Sequence, residues 1–537
     1  MSETSKAQFD AIVIGAGFAG MYQLHLLRDK LGLKVRVLEQ GSGVGGTWYW
    51  NRYPGARCDT ESHAYCYTFS ESLYCSWDWS ERYPEQPEIM RYLNFAADQL
   101  DLKKDIQFDT RVSGASWDED ARSWRIKTEN HGEYTARFLI TAVGCLSAAN
   151  IPNFKGLDSF KGQWIHTGSW PQDGVDFSGK RVGLIGTGST GVQATPVIAK
   201  KAHHLTVFQR TPNYSVPARN APLTEDFKRS VHKNFEEIAS NMKATTNGHP
   251  WGVENRRAVE TSADEQERLL EAAWLVGGMQ FRAVFNDIMV DEAANKVMAD
   301  FVTRKIRETV KDPITAEKLT AFDHHYSTKR PIIDSHYFET YNRENVSLVD
   351  VKEAPIEEIT PRGLRTSDGT EYDLDIIVFA TGYDGVTGPL TRLNLIGRDG
   401  LSLGDVWQEG PKTYLGLQVE GFPNLFTITG PQSPSVLTNM PVAIEQHAEW
   451  IANAITHIDQ IGASCMEPTS TAVNEWETQV QKAAQATLLI TAKSSWYLGA
   501  NVPGKPRVFL PYAGGMARYR DICEDVVEQN YKGFKVA

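Results

Sequence analysis

The chain has 537 residues, of which 55 are Lys or Arg and 67 are Asp or Glu, for a formal charge of −12 with histidine neutral. At roughly 100–200 residues per domain, that length excludes a single small binding module and implies several domains or one large α/β assembly. The acidic balance carries no block of like charge and points away from a nucleic-acid partner, and 41% hydrophobic with 23% charged residues excludes disorder as the main state.

The opening residues Met1 to Lys6 lack the basic and apolar regions of a secretory leader. The longest apolar runs are strand-sized, far short of the roughly 18 residues that cross a bilayer, so a cytoplasmic protein without membrane insertion is expected. Six cysteines (58, 66, 75, 145, 465 and 523) include no CxxC and indicate neither a disulfide scaffold nor a zinc site.

In chain order, the first element is the buried-strand run Ala11-Ile12-Val13-Ile14, followed by Gly15-Ala16-Gly17-Phe18-Ala19-Gly20 and a helical pattern through Met21, Leu24, Leu26 and Leu27. In such a turn Gly15 permits the tight bend, Gly17 lets a pyrophosphate approach the backbone and Gly20 lets helix and strand pack closely. The next strand, Val35 to Leu38, ends in Glu39, an acid placed for a ribose diol.

The whole unit recurs. The run Arg181 to Ile185 leads into Gly186-Thr187-Gly188-Ser189-Thr190-Gly191, and the following strand Leu205 to Phe208 precedes Arg210, which stands as far beyond Gly186 as Glu39 does beyond Gly15. A carboxylate suits a free diol, whereas a guanidinium suits a 2′-phosphate, so the first site is read as FAD-binding and the second as NADP-binding.

From Pro222 to about Thr328 the pattern changes to charged-apolar helical periodicity, as in Glu265 to Trp274. The strands Leu139 to Gly144 and Ile376 to Gly382 end in small residues and read as crossing points between the nucleotide domains. The expected fold is α/β: two Rossmann-like dinucleotide-binding domains with a helical insertion in the NADP domain. The expected segments are FAD domain 1–150, NADP domain 151–221, insertion 222–328, NADP domain again 329–382 and FAD domain again 383–537.

Paired nucleotide sites suit a disulfide reductase or an oxygenating flavoprotein, but Cys58, Cys66 and Cys75 are too widely spaced for a redox pair beside a flavin. The segment Phe160-Lys161-Gly162-Gln163-Trp164-Ile165-His166-Thr167-Gly168-Ser169-Trp170-Pro171 resembles the FxGxxxHxxxWP fingerprint of the type I Baeyer-Villiger monooxygenases. Gly45-Gly46-Thr47-Trp48, Tyr53-Pro54-Gly55 and Asp59 fit a second pattern of that family, and the likeness runs from Gly15 to Asn501. Gln172 departs from it, standing where the family usually has Asp or Gly.

The resemblance implies a ketone substrate, dioxygen and NADPH, giving an ester or lactone through a C4a-peroxyflavin. The alternative is oxygenation of sulfides or amines by the protonated hydroperoxide. Arg330 would be the active-site cation and Asp59 its partner; His166 would belong to a linker that couples cofactor binding to domain movement. For FAD the resemblance adds Gly46, Thr47, Trp48, Asp59, Tyr65, Val112 and Met440 to the first loop and Glu39. For NADP it implies Gly186, Thr187, Gly188, Ser189, Gly191, Arg210, Thr211, Lys329, Arg330 and Trp496. The loop Pro434 to Pro441, longer by two residues than in cyclohexanone-type enzymes, would cover the flavin, with Val436 and Leu437 flexible; a monomer or weak homodimer is expected.

Overall fold

The computed structural model describes residues 7–537, so the leader reading on Met1 to Lys6 lies outside the described residues. The strand Phe9–Ile14 is central to the first sheet and pairs in parallel with Val35–Leu38 on one side and Glu133–Thr141 on the other. Ala11 and Val13 enter one core cluster while Ile12 and Ile14 enter another. Burial on both faces is why this strand reads as a continuous apolar run rather than an alternating one. Ile106–Gln107 extends the sheet beyond Val35–Leu38, and Leu425–Thr427, from far along the chain, pairs with the end of Glu133–Thr141. Val112–Asp118 and Ser123–Thr128 add an antiparallel wing.

The second sheet is parallel throughout, in the order Val346–Asp350, His204–Gln209, Arg181–Ile185, Ile376–Phe379, Gln163–His166. Its two neighbouring strands His204–Gln209 and Val346–Asp350 are separated in sequence by the helices Glu225–Lys233, Phe235–Ala244, Ala263–Val276, Glu292–Thr309 and Pro313–Leu319. Phe281, Phe285, Phe301 and Tyr326 of this excursion share one core cluster with Val182, Leu184 and Val207 of the sheet. Among the described residues, no helix is long and apolar enough to cross a membrane.

Both glycine loops leave the carboxyl ends of central strands, where open parallel sheets bind ligands. The two are tied together by the segment between Tyr53 and Asp59. Tyr53 donates its hydroxyl proton to Gln193 Oε1 (2.7 Å), and Gln193 Nε2 donates to the Arg57 carbonyl (3.0 Å), so the helix Ser189–Ala199 of the second site is bonded to the first domain. Gly55, at φ 83°, fits here because a Cβ would stand 2.4 Å from the Gln193 carbonyl oxygen.

The fingerprint segment forms the edge strand Gln163–His166, and His166 is buried at its end. His166 Nδ1 accepts from Gly168 N–H (3.0 Å), which leaves Nε2 to donate to the Gly382 carbonyl (3.2 Å) at the crossing between sheets. Tyr383 next to it bonds Asn51 of the first domain, and Gln172 donates to the Tyr49 hydroxyl (3.0 Å). The departing residue Gln172 thus makes a link between the fingerprint loop and the Gly45–Asp59 segment.

Burial lowers the His166 imidazole below its ordinary value, with the Gly382 contact opposing. A histidine held neutral in the fold contributes stability above its unfolded pKa and loses it as pH falls through and below that value. Replacing His166 by Ala is expected to cost about 1–3 kcal/mol at pH 8. The gap from wild type should narrow between pH 7 and pH 5, as read by urea unfolding at each pH.

Candidate functional site

Gly15-Ala16-Gly17 turns the first strand into the helix Phe18–His25. Gly17 lies against Gly46 so closely that a Cβ on Gly46 would stand 2.9 Å from Gly17 Cα. The two loops therefore expose bare backbone at one point, as a pyrophosphate requires. Glu39 is buried beside them, with its carboxylate accepting N–H bonds from Ala16 and Gly41, both 2.7 Å. Burial raises this carboxyl and the backbone donors counter it. Thr47 opens the short helix Thr47–Trp50, and Trp48 Nε1 donates to the Tyr65 hydroxyl (3.1 Å), with Phe18 edge-on to Tyr65 at 5.3 Å. Val112 packs with Ile14 and Leu38, the strand ends that carry the glycine loop and Glu39. Met440 begins the helix Met440–Gln460 and packs against two core clusters. A glycine cradle, a buried acid and an aromatic shelf fit a flavin adenine dinucleotide, which Gly15, Gly17, Glu39, Trp48 and Tyr65 would hold.

At the second loop, Gly186 has φ 114°, and Thr187 donates its hydroxyl to the Thr211 carbonyl (3.0 Å), tying the loop to the end of strand His204–Gln209. A Cβ added to Gly188 would meet nothing within 4 Å, so the first turn of the helix Ser189–Ala199 faces open space. Gly191, by contrast, is packed against the Gly186 carbonyl, where a Cβ would come within 2.1 Å. Arg210 is exposed and close to Lys329: burial first, and the like charge of Arg210 with it, lower the Lys329 ammonium while Asp323 opposes them. Two converging cations beside a glycine-loop helix fit the 2′-phosphate of NADP. Asp323 carries no signal in the sequence; it lies 3.7 Å from Lys329 Nζ and 3.2 Å from Lys352 Nζ.

Arg330 joins the segment that ends at Asp59 to the loop that carries Val436. Its Nε donates to Asp59 Oδ2 (2.6 Å), Nη2 to Asp59 Oδ1 (2.9 Å) and Nη1 to the Val436 carbonyl (2.7 Å). Burial works against both charges, but each partner's field outweighs it, so the guanidinium is held above and the Asp59 carboxyl below its ordinary value. Val436, expected from sequence to be flexible, is instead buried in the turn Ser435–Leu437, and its carbonyl is the third anchor of Arg330. Trp496 packs on Gly385 of the crossing segment, where a Cβ would come within 2.9 Å of the ring, and shares a cluster with Leu437 and Met440.

Other residues complete this wall. Burial, with Arg282 and Arg330 nearby, pushes the His249 imidazole down to about 3, so it is neutral. Tyr497 and Arg282 lie within the same field. Asn439 Nδ2 donates to the Ala64 and Gly248 carbonyls (2.7 and 3.1 Å), joining the covering loop, the first domain and the helical excursion. His249 and Arg282 have no local motif in the sequence, and the only early signal is their position in an insertion without a phosphate loop.

Residues 9–244 match the flavin-binding monooxygenase-like family. Over 532 residues the chain is 45% identical to a Baeyer-Villiger monooxygenase of Pseudooceanicola batsensis, covering 99% of this chain and 96% of that protein. It is also 43% identical over 536 residues to a phenazine N-monooxygenase of Lysobacter antibioticus, covering 99% and 97%. The solved OTEMO complex with FAD and NADP superposes with a TM-score of 0.96 at 44% identity, covering 99% of this chain and 100% of that one.

Removing one member of a partly buried ion pair leaves the other short of its counter-charge. Asp59→Ala is expected to lower stability by about 2–4 kcal/mol, and Asp59→Ala with Arg330→Met to recover most of that loss. Thermal unfolding of the two variants checks this.

Proposed function

This chain belongs to the family of flavin-binding monooxygenases, in its Baeyer-Villiger branch, and from that premise we propose that it converts ketones to esters or lactones with FAD, NADPH and dioxygen. The balanced reaction takes one ketone, O₂, NADPH and a proton to one ester, NADP⁺ and water. The observation that carries the reading is Arg330, a permanent cation held in one direction by Asp59 of the first domain and the Val436 carbonyl.

When bound, the flavin supplies the activation of dioxygen, with electrons from NADPH. The chain's own residues do the rest. Carbonyl addition develops negative charge on the ketone oxygen, and a preorganised guanidinium stabilises that charge without rearranging. Arginine does not release its proton at any working pH, so Arg330 is an electrostatic group and not a general base. Asp59 fixes its direction through two bonds, and His249, neutral and buried beside them, adds no competing charge. Arg210, Thr211 and Lys329 would select NADPH over NADH, since without the 2′-phosphate Arg210 loses its anion and Lys329 keeps only Asp323.

The protein is proposed to act as a monomer or weak homodimer in the cytoplasm. Oxygenation of an amine or sulfide is the second reading, favoured by the similarity to a phenazine N-monooxygenase. It needs no cation for a carbonyl oxyanion, and the Arg330 arrangement favours the ketone.

Two measurements test the reading. Purified yellow protein with NADPH, ¹⁸O₂ and cyclic, linear and aryl ketones is expected to place one label in the ester; Arg330→Ala should keep FAD and lose ester formation by about 100-fold or more. Label in sulfides or amines alone would move the second reading to first place. Arg210→Ala is expected to raise KM for NADPH by about 10–100-fold while leaving KM for NADH nearly constant, since a charge-assisted contact to phosphate is lost. Steady-state kinetics with both nucleotides decides it.

A further inference from the structure

We propose that Lys352 is a third cation of the NADP 2′-phosphate subsite and that Asp323 is a stand-in anion, holding Lys352 and Lys329 until the phosphate takes its place. The inference rests on the NADPH reading above and names two further residues of that same site.

The sheet brings these residues to one edge. Arg181–Ile185, His204–Gln209 and Val346–Asp350 are neighbouring parallel strands, so their carboxyl ends lie side by side. The first runs into the Gly186 loop, the second into Arg210 and the third into Val351 and Lys352. Asp350 stands opposite Gln209 in the register, and Val351 N–H donates to the Gln209 carbonyl (2.8 Å), which sets Lys352 beside the strand end that carries Arg210. In a dinucleotide fold the adenosine ribose is bound just beyond the second strand, so its 2′ position faces this edge.

Asp323 reaches the edge on the stretch that leads from the helical excursion to Lys329. Its Oδ1 lies 3.7 Å from Lys329 Nζ, and its Oδ2 accepts from Lys352 Nζ at 3.2 Å. One carboxylate thus spans two ammonium groups. The next residue fixes its place: the His324 side chain is fully enclosed, edge-on to Tyr214 at 5.4 Å, and Nε2 donates to Asn213 Oδ1 (3.1 Å). Asn213 Nδ2 in turn donates to the Arg330 carbonyl (3.0 Å). Burial, with Lys329 beside it, pushes the His324 imidazole down to about 4, so it adds no charge. Lys318, whose carbonyl accepts from Gln209, is matched by Glu353 at 3.4 Å, and the Asp350 carboxylate accepts the Lys352 N–H (2.8 Å).

These contacts leave donors unspent. At 3.7 Å the Lys329 contact is an ion pair without a hydrogen bond, and each ammonium has three protons to give. A phosphate monoester carries roughly −1.5 to −2 charge and three acceptor oxygens, so it serves Arg210, Lys329 and Lys352 better than one carboxylate does. Asp323 and Lys352 are both partly exposed, which lets the carboxylate turn to water when the phosphate enters.

The test titrates adenosine 2′,5′-bisphosphate and adenosine 5′-monophosphate into the FAD-loaded enzyme by calorimetry, a readout independent of turnover. Wild type is expected to bind the bisphosphate about 10-fold or more tightly than the monophosphate. Lys352→Met is expected to lower that preference by about 10-fold and Lys352→Arg to keep it, whereas Asp323→Asn is expected to raise it by about 3-fold or more, since the phosphate no longer displaces a carboxylate. Melting without nucleotide checks that each variant is folded, and Lys352→Gln replaces Lys352→Met if that one is not. A preference unchanged by loss of the Lys352 charge would overturn the third cation and reduce its bond to Asp323 to a surface ion pair. A preference lowered in Asp323→Asn would overturn the stand-in and make the carboxylate a fixed brace. Loss of the preference in Arg210→Ala but not in Lys352→Met would leave the NADPH reading standing, whereas a wild type indifferent to the 2′-phosphate removes both.

Discussion

The site depends on holding one arginine in one direction. Arg330 binds residues 271 positions earlier and 106 positions later in the chain, so its geometry exists only when the first domain, the second domain and the covering loop are assembled together. The pair with Asp59 uses the planar fork of the guanidinium against a carboxylate, the arrangement that fixes orientation as well as charge. Lysine at this position would keep the charge and lose the direction. Because burial opposes both ions and each sustains the other, the cation persists over the whole range in which an enzyme works.

Around that pair the fold supplies couplings between nucleotide sites. Gln193 sits on the helix that begins at the second glycine loop and is bonded to Tyr53 and Arg57, which lead into Asp59. His166 and Tyr383 do the same at the crossing between sheets, and Lys505 holds Asp384 (2.6 Å) and the Gly385 carbonyl (2.9 Å) from the last part of the chain. Events at the helix Ser189–Ala199 thus have a short bonded route to the carboxylate that aims Arg330.

What is legible in the sequence is local. A glycine turn between a strand and a helix is written in consecutive residues, and the opposite charges of Glu39 and Arg210 follow from their shared offset; both nucleotide-binding units are therefore readable from residue type alone. The α/β class and the helical character of the excursion follow from period and composition. Arg330 and Asp59 enter through resemblance to a family, because nothing in the segments around them marks a pair. The Val436 carbonyl is invisible, since any residue presents the same backbone oxygen, and the flexibility expected of Val436 gives way to burial. Asp323 beside Lys329, and His249 and Arg282 beside Arg330, come from folding of the excursion onto the second sheet, a long-range contact with no local signature.

The most direct test of the central claim is the coupling ratio, ester formed per NADPH consumed, in FAD-loaded Asp59→Asn. This variant keeps the shape of the carboxylate and removes the charge that orients Arg330. The account predicts that NADPH oxidation continues while ester per NADPH falls by about 10-fold or more, the missing oxygen appearing as hydrogen peroxide. A ratio equal to wild type, in a folded variant with FAD bound, would contradict it.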